Sequence, residues 1–160
     1  KAEEIFFMMS TYRDAMLACQ IGVRDDGVSA MHDATECGIY GGVFELAIAG
    51  GVGVRLNKDT IEIDDRVKKV CDLFEIDPFK SISEGTLLIA VRPHKAEILK
   101  EHLESNGIKA FICGEFLEDK NKFVLIENGN ERPLEHPKVD PFWAAFYRAL
   151  KSYSQLENES

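Results

Sequence analysis

The sequence predicts an α/β or α+β sandwich, one mixed sheet carrying helices on its faces, on three observations. The run Thr86 to Val91, TLLIAV, is nearly continuously apolar, as a strand buried on both faces requires. Between Pro93 and Gly107, Ala96, Ile98, Leu99 and Leu103 recur at helical spacing, with a proline start and a glycine stop. Asn128-Gly129 joins the arms Phe123–Ile126 and Glu131–Leu134 as a tight hairpin turn, and Pro133 marks the second arm as an edge strand.

In chain order, Ile5, Met8, Met9, Tyr12, Met16 and Cys19 form one stripe on a helix from Glu3 to Gln20, which predicts a core-facing helix. Gly22 and Asp25-Asp26-Gly27 end it. Val28 to Met31 reads as a buried strand ending on His32 and Asp33, followed by a helix of about Ile39 to Ala49. Gly50, Gly51 and Gly53 close that helix and open the strand Val52–Leu56. This order is opposite to that of a dinucleotide fingerprint, so they read as a C-cap and a tight entry into the sheet. Asp64 is the expected N-cap of a helix whose Val67, Val70, Cys71 and Phe74 share a face. Ile108 to Phe116 returns as a strand. From Asp140 onward, Phe142, Trp143, Phe146, Tyr147 and Leu150 form a helical aromatic stripe, read as core or interdomain packing. Residues 1–150 are expected to form one domain, with a polar, frayed tail over 151–160.

The chain has 160 residues and a net charge of −9, and both halves are acidic, which argues against nucleic acid or an anionic membrane as partner. Cys19, Cys37, Cys71 and Cys113 are scattered and lack zinc-ligand spacing, so reduced thiols are expected. No apolar run is long enough to span a bilayer and no signal-peptide pattern opens the chain, so a cytoplasmic location is expected. The first residues read as an ongoing helix without an initiator methionine, which predicts an upstream part.

Chemistry concentrates at Met31 to Gly42, MHDATECGIYGG. A strand-to-helix turn there would aim free backbone N–H groups outward, a seat for an anion. His32 is a candidate acid or base, Asp33 a candidate metal contact or orienting group, Glu36 a second carboxylate and Thr35 a hydroxyl. Capping and turn chemistry account for Asp33 and Thr35 equally well, and a histidine at a strand end is often only hydrogen-bonded. Cys37 reads as a packed side chain rather than a nucleophile. Phosphate-loop, nucleophile-elbow and HExxH motifs are absent from the sequence.

The stretch MHDATECGIYGGVFELAIAGGVGVRL resembles the C-terminal domain of the aminoimidazole ribonucleotide (AIR) synthetase (PurM) superfamily, especially HypE and its relatives. The pattern is His-Asp-x-Thr-x-Gly-Gly, a helix, then Gly-Val-Gly. His32, Asp33, Thr35, Gly38, Gly51, Val52 and Gly53 match it, while Cys37 stands at the first glycine of the pair. SEGTLLIAVRP and GIKAFICGEF extend the resemblance over most of Ser29 to Phe116.

The resemblance implies a three-layer α/β/α sandwich of partly ferredoxin-like topology, and an upstream N-terminal domain that binds most of the ATP and Mg2+ and forms a homodimer. It also implies an ATP-dependent activation of an amide or carbonyl oxygen by phosphorylation, with a part in hydrogenase maturation and a maturation-complex partner. His32, Asp33 and Glu36 would then be catalytic, and Thr35, Gly38, Gly41, Gly42, Glu84 and Gly85 would bind ligand, with no metal ligand in this domain. HypE ends in a cysteine that receives a carbamoyl group, whereas the last cysteine here is Cys113. The expectation is a relative of HypE whose fragment is inactive alone. The alternatives are a non-catalytic nucleotide-responsive or assembly module, and a stand-alone small-molecule binder, which would need a closed pocket within these residues.

Overall fold

The computed structural model describes residues 3–158, side chains excepted at 4–5 and 152–158. Six strands divide between two sheets. β1 (Val28–Ala34) and β3 (Thr86–Val91) form an antiparallel ribbon in which Ala34 faces Thr86 and Met31 faces Ile89. The mixed sheet holds β2 (Gly53–Asn57), β4 (Gly114–Leu117), β5 (Phe123–Glu127) and β6 (Asn130–Pro133) in the order β4-β2-β5-β6. Within it only β2 and β5 run parallel.

Helix α2 (Gly38–Gly50) packs on both sheets. Its Tyr40, with Leu56 of β2 and Leu125 of β5, is among the largest fully buried side chains. On the ribbon, α1 (Tyr12–Cys19) and α4 (Ala96–Ser105) close a second core through Ala18, Val28, Leu99 and Leu103. The ribbon thus lies between helices, as the three-layer expectation requires, and the mixed sheet is a separate neighbour rather than its continuation.

Several elements match their local signals. The hairpin turn has Asn128 and Gly129 both at positive φ, 52° and 73°, the geometry of a two-residue turn that follows strand twist. Pro133 lies on the edge strand β6. Gly51, at φ 64°, caps α2. Asp64 caps α3 (Asp65–Phe74) by accepting the Arg66 N–H at 2.9 Å.

Other elements differ from expectation. The first helix is broken: a 3-10 turn over Glu3–Met8 precedes α1, and the Ser10 hydroxyl accepts the Tyr12 N–H at the new start. The predicted stripe faces outward, with Tyr12 72% and Met16 52% exposed, while Leu17, Ala18 and Ile21 turn inward. Both faces carry apolar residues at helical spacing, so period alone could not choose between them. The side chain of Ile5 lies outside the described residues.

The strand read from Ile108 begins only at Gly114, because Ile108 and Ala110 pack on the second core before the chain crosses to the mixed sheet. On α3 only Cys71 of the predicted face is buried. Helix α5 (Pro141–Asn158) buries Ala145, whereas Trp143, Phe146 and Tyr147 stay outside the core and contact one another edge-on. It continues as helix through 151–158, the stretch read as a frayed tail, and the last two positions lie outside the described residues.

Tyr40 brings a local conflict into the core. Its hydroxyl is buried without a hydrogen-bond partner among the described residues. Burial pushes the phenol above its ordinary range, so it stays neutral. An orphaned buried hydroxyl costs about 1–3 kcal/mol, and Phe fills nearly the same volume. Tyr40→Phe is therefore expected to stabilise the fold by about 1 kcal/mol, raising the thermal midpoint by roughly 2–4 °C in calorimetry.

Candidate functional site

β1 extends through His32 and Asp33 to Ala34, so both site residues sit within the strand rather than beyond its end. Neighbours in a strand point to opposite faces. His32 therefore shares the α2 side with Ala34, while Asp33 leaves the strand from the opposite face. Gly42 lets α2 approach closely: a Cβ there would lie 2.7 Å from Leu88 Cδ1 and 3.5 Å from His32 Cδ2. One turn further along α2, the Glu45 carboxylate meets His32 Nε2 at 2.6 Å. A carboxylate only accepts, so Nε2 is the donor of this contact, and in the neutral ring Nδ1 holds the lone pair. Nδ1 lies 3.9 Å from the Asp33 carboxylate. The His32 side chain is 31% exposed, so this base is reachable from solvent.

Sequence reasoning missed Glu45. The signal was present, since Glu45 is the sole charged residue in GIYGGVFELAIAG. A lone carboxylate on an otherwise apolar helix needs a partner.

The turn after β1 is tightly held. The Thr35 carbonyl accepts both the Gly38 N–H at 3.2 Å and the Ser83 N–H at 3.1 Å. Cys37 and Gly38 are both left-handed, at φ 62° and 60°. The Cys37 N–H donates to Asp140 Oδ2 at 2.7 Å, and the Tyr40 N–H donates to the Phe79 carbonyl at 3.1 Å. Of the amides expected to point outward for an anion, those of Cys37, Gly38 and Tyr40 are thus taken up inside the protein. Asp140, 3% exposed, also accepts from the Ser81 hydroxyl at 3.1 Å and the Phe142 N–H at 2.8 Å. Sequence reasoning missed this role too, because an aspartate before Pro141 reads as an ordinary helix start.

The three glycines of the turn and helix each make room for protein atoms. A Cβ on Gly38 would lie 2.6 Å from the Ser81 carbonyl oxygen, and one on Gly41 would lie 2.6 Å from Cys37 Cβ. Gly42 admits Leu88 and His32 as described. Glu36 is exposed and Thr35 half-buried. Pairing of Ala34 with Thr86 brings the Glu84-Gly85 turn beside Thr35, and Gly85 packs on the Met8 carbonyl.

The Cys37 thiol is pushed above its ordinary range by burial, reinforced by Asp140, Glu45 and Glu36, so it is a protonated, packed group. His32 has the Glu45 and Asp33 carboxylates beside it, and the exposed Glu36 lies in the turn just beyond. This acidic wall suits proton transfer, and it does not suit holding a triphosphate, whose charge it would repel. Among the described residues, no group of three or more His, Cys, Asp or Glu side chains is placed to hold a metal ion, and no helix is long and apolar enough to cross a membrane. A cavity of about 1340 Å³ is an apolar groove bordered by β2, β3, α3 and α4, and Ile39 alone represents Met31–Gly42 in its lining.

Comparison with known proteins agrees with this architecture. The family described as AIR synthase related protein, C-terminal domain, matches residues 6–127. Carbamoyl dehydratase HypE of Escherichia coli K12 is 34% identical over 117 residues, 72% of this chain and 35% of that protein. A putative hydrogenase expression/formation protein of Methanocaldococcus jannaschii is 33% identical over 126 residues, 74% of this chain and 37% of the relative. Phosphoribosylformylglycinamidine synthase subunit PurL of Alkaliphilus metalliredigens is 31% identical over 136 residues, 84% of this chain but 17% of the relative. A crystal structure of E. coli HypE superposes with a TM-score of 0.69 at 30% identity, covering 82% of this chain and 40% of that one. HypE solved in complex with ATP shares the fold at 18% identity and a TM-score of 0.60, over 68% of this chain and 36% of that one. The chain spans little more than a third of the HypE relatives' length. It belongs to the AIR synthase-related proteins and corresponds to their C-terminal domain.

Proposed function

We propose that the chain is the C-terminal domain of a HypE-like, ATP-dependent enzyme that activates an amide or carbonyl oxygen by phosphorylation during hydrogenase maturation. The observation that carries this reading is the His32–Glu45 pair, an oriented base beside an acidic, solvent-reachable wall. Kinship to carbamoyl dehydratases supplies the reaction class, and the ATP-bound neighbour supports nucleotide use. ATP and Mg2+ would be bound mainly by an N-terminal domain, since the residues here do not fit a triphosphate. Within this domain, His32 Nδ1 would take a proton from the acceptor group. Glu45 would hold the Nε2 proton and balance the charge that develops, while Asp33, Thr35 and Glu36 would face the cleft. The N-terminal domain and a second copy are the expected partners. A HypE–HypF complex among the structural neighbours suggests a further maturation protein.

The test is phosphate release from Mg-ATP by the full-length protein, alongside the His32→Ala, Asp33→Ala double variant. A loss of about 100-fold or more in kcat is expected for removal of a general base. Unchanged turnover removes these residues from the mechanism. Tight nucleotide binding in calorimetry without turnover, with acceptor supplied, favours the non-catalytic module.

A further inference from the structure

We propose that Asp140 is a positioning residue for the His32–Glu45 pair, acting through the turn that joins β1 to α2. The inference rests on the proposed catalytic reading of that pair, and it lies outside residues 6–127 that the family shares.

The turn requires two successive left-handed residues, and the first is Cys37 at φ 62°. A side chain in that region costs about 1–2 kcal/mol unless the surroundings hold it there. Asp140 supplies the hold. The Asp140 carboxylate accepts the Cys37 N–H at 2.7 Å, while the Gly38 N–H closes the turn on the Thr35 carbonyl. The bond is charge-assisted and buried, and Ser81 and the Phe142 amide fix the carboxylate from two other directions. Cys37 in turn leans on α2, its Cβ filling the space over Gly41.

The turn sets where α2 starts, and therefore where Glu45 sits along β1. Gly42 closes the helix on His32, so a slide of α2 by 1 Å would break the 2.6 Å contact. Misplacement on that scale can cost as much as about 100-fold in rate. Helix α5, which Asp140 precedes, is thereby tied to the site from the far end of the chain.

The experiment compares wild-type and Asp140→Asn full-length protein in two assays. Thiol labelling, resolved by cysteine in mass spectrometry, should show Cys37 reacting at least roughly ten times faster in the variant, with Cys71 and Cys113 unchanged as internal controls for global opening. Phosphate release from Mg-ATP should show kcat lower by about 10-fold with KM within about 2-fold, and unchanged labelling of Cys71 and Cys113 in the same sample excludes a smaller folded fraction as the cause. Adding Cys37→Gly should restore kcat, because glycine adopts the left-handed turn without the restraint. Unaltered Cys37 labelling overturns the latch. Faster labelling with unaltered kcat overturns the positioning role. A wild-type protein without turnover defeats the enzymatic reading instead, and the labelling result then decides the latch on its own.

Discussion

Replacing Gly38 by alanine is expected to destabilise the fold by about 3 kcal/mol or more, among the largest effects a single methyl group could have in this chain. Two costs combine. At φ 60° an L-residue is strained by about 1–2 kcal/mol. The new Cβ would also lie 2.6 Å from the Ser81 carbonyl oxygen and 2.8 Å from that of Phe79. Neither oxygen is free to retreat: Phe79 is 6% exposed, and its carbonyl already accepts the Tyr40 N–H. The thermal midpoint should fall by roughly 6–12 °C at 2–4 °C per kcal/mol. Gly51→Ala is the control. Its φ is 64°, but nothing lies within 4 Å of the added atom, so only the conformational cost of about 1 kcal/mol remains. Equal losses for the two variants in urea unfolding would show that close packing at Gly38 contributes nothing.

Glu45→Gln should lower kcat of the full-length enzyme by about 100-fold while leaving the fold intact. The amide keeps the shape of the side chain and a hydrogen bond to His32, and it removes the charge that balances a protonated ring. Glu36→Gln, on an exposed residue of the same wall, tests charge without that contact and should change kcat less than about 3-fold. Two residues acting as one unit do not add their losses. A His32→Ala, Glu45→Gln double variant should therefore be scarcely slower than the worse single variant. Fully multiplied losses would separate the two residues and remove the dyad.

Much of the fold was legible because its signals are local. TLLIAV, the Asn128-Gly129 turn, Gly51 after α2 and Asp64 before α3 each act within a few positions, and each has the expected place in the structure. The division of the strands into two sheets was not legible, since it depends on which strands meet across long separations. The exposed stripe of α1 shows the same limit, because a period specifies a face and not what covers it. At the site, motif matching led to His32 and the turn, whereas Glu45 and Asp140 act 13 and 103 positions from their partners. The bonding of the Cys37 amide at the start of α2 was not legible for this reason: the carboxylate that accepts its N–H comes from near the other end of the chain.

The parallel pairing of β2 with β5 also orders the assembly of the mixed sheet. The β5–β6 hairpin closes through two residues and can form within microseconds. Joining Val54 to Phe123 instead encloses about 70 residues, and that closure entropy must be met before the pairing contributes. Until then β5 presents an open apolar edge, Phe123 to Ile126, of the kind that pairs with other chains. Capture of β2 is therefore expected to be slower than formation of the hairpin, and aggregation during refolding is expected to compete with that capture.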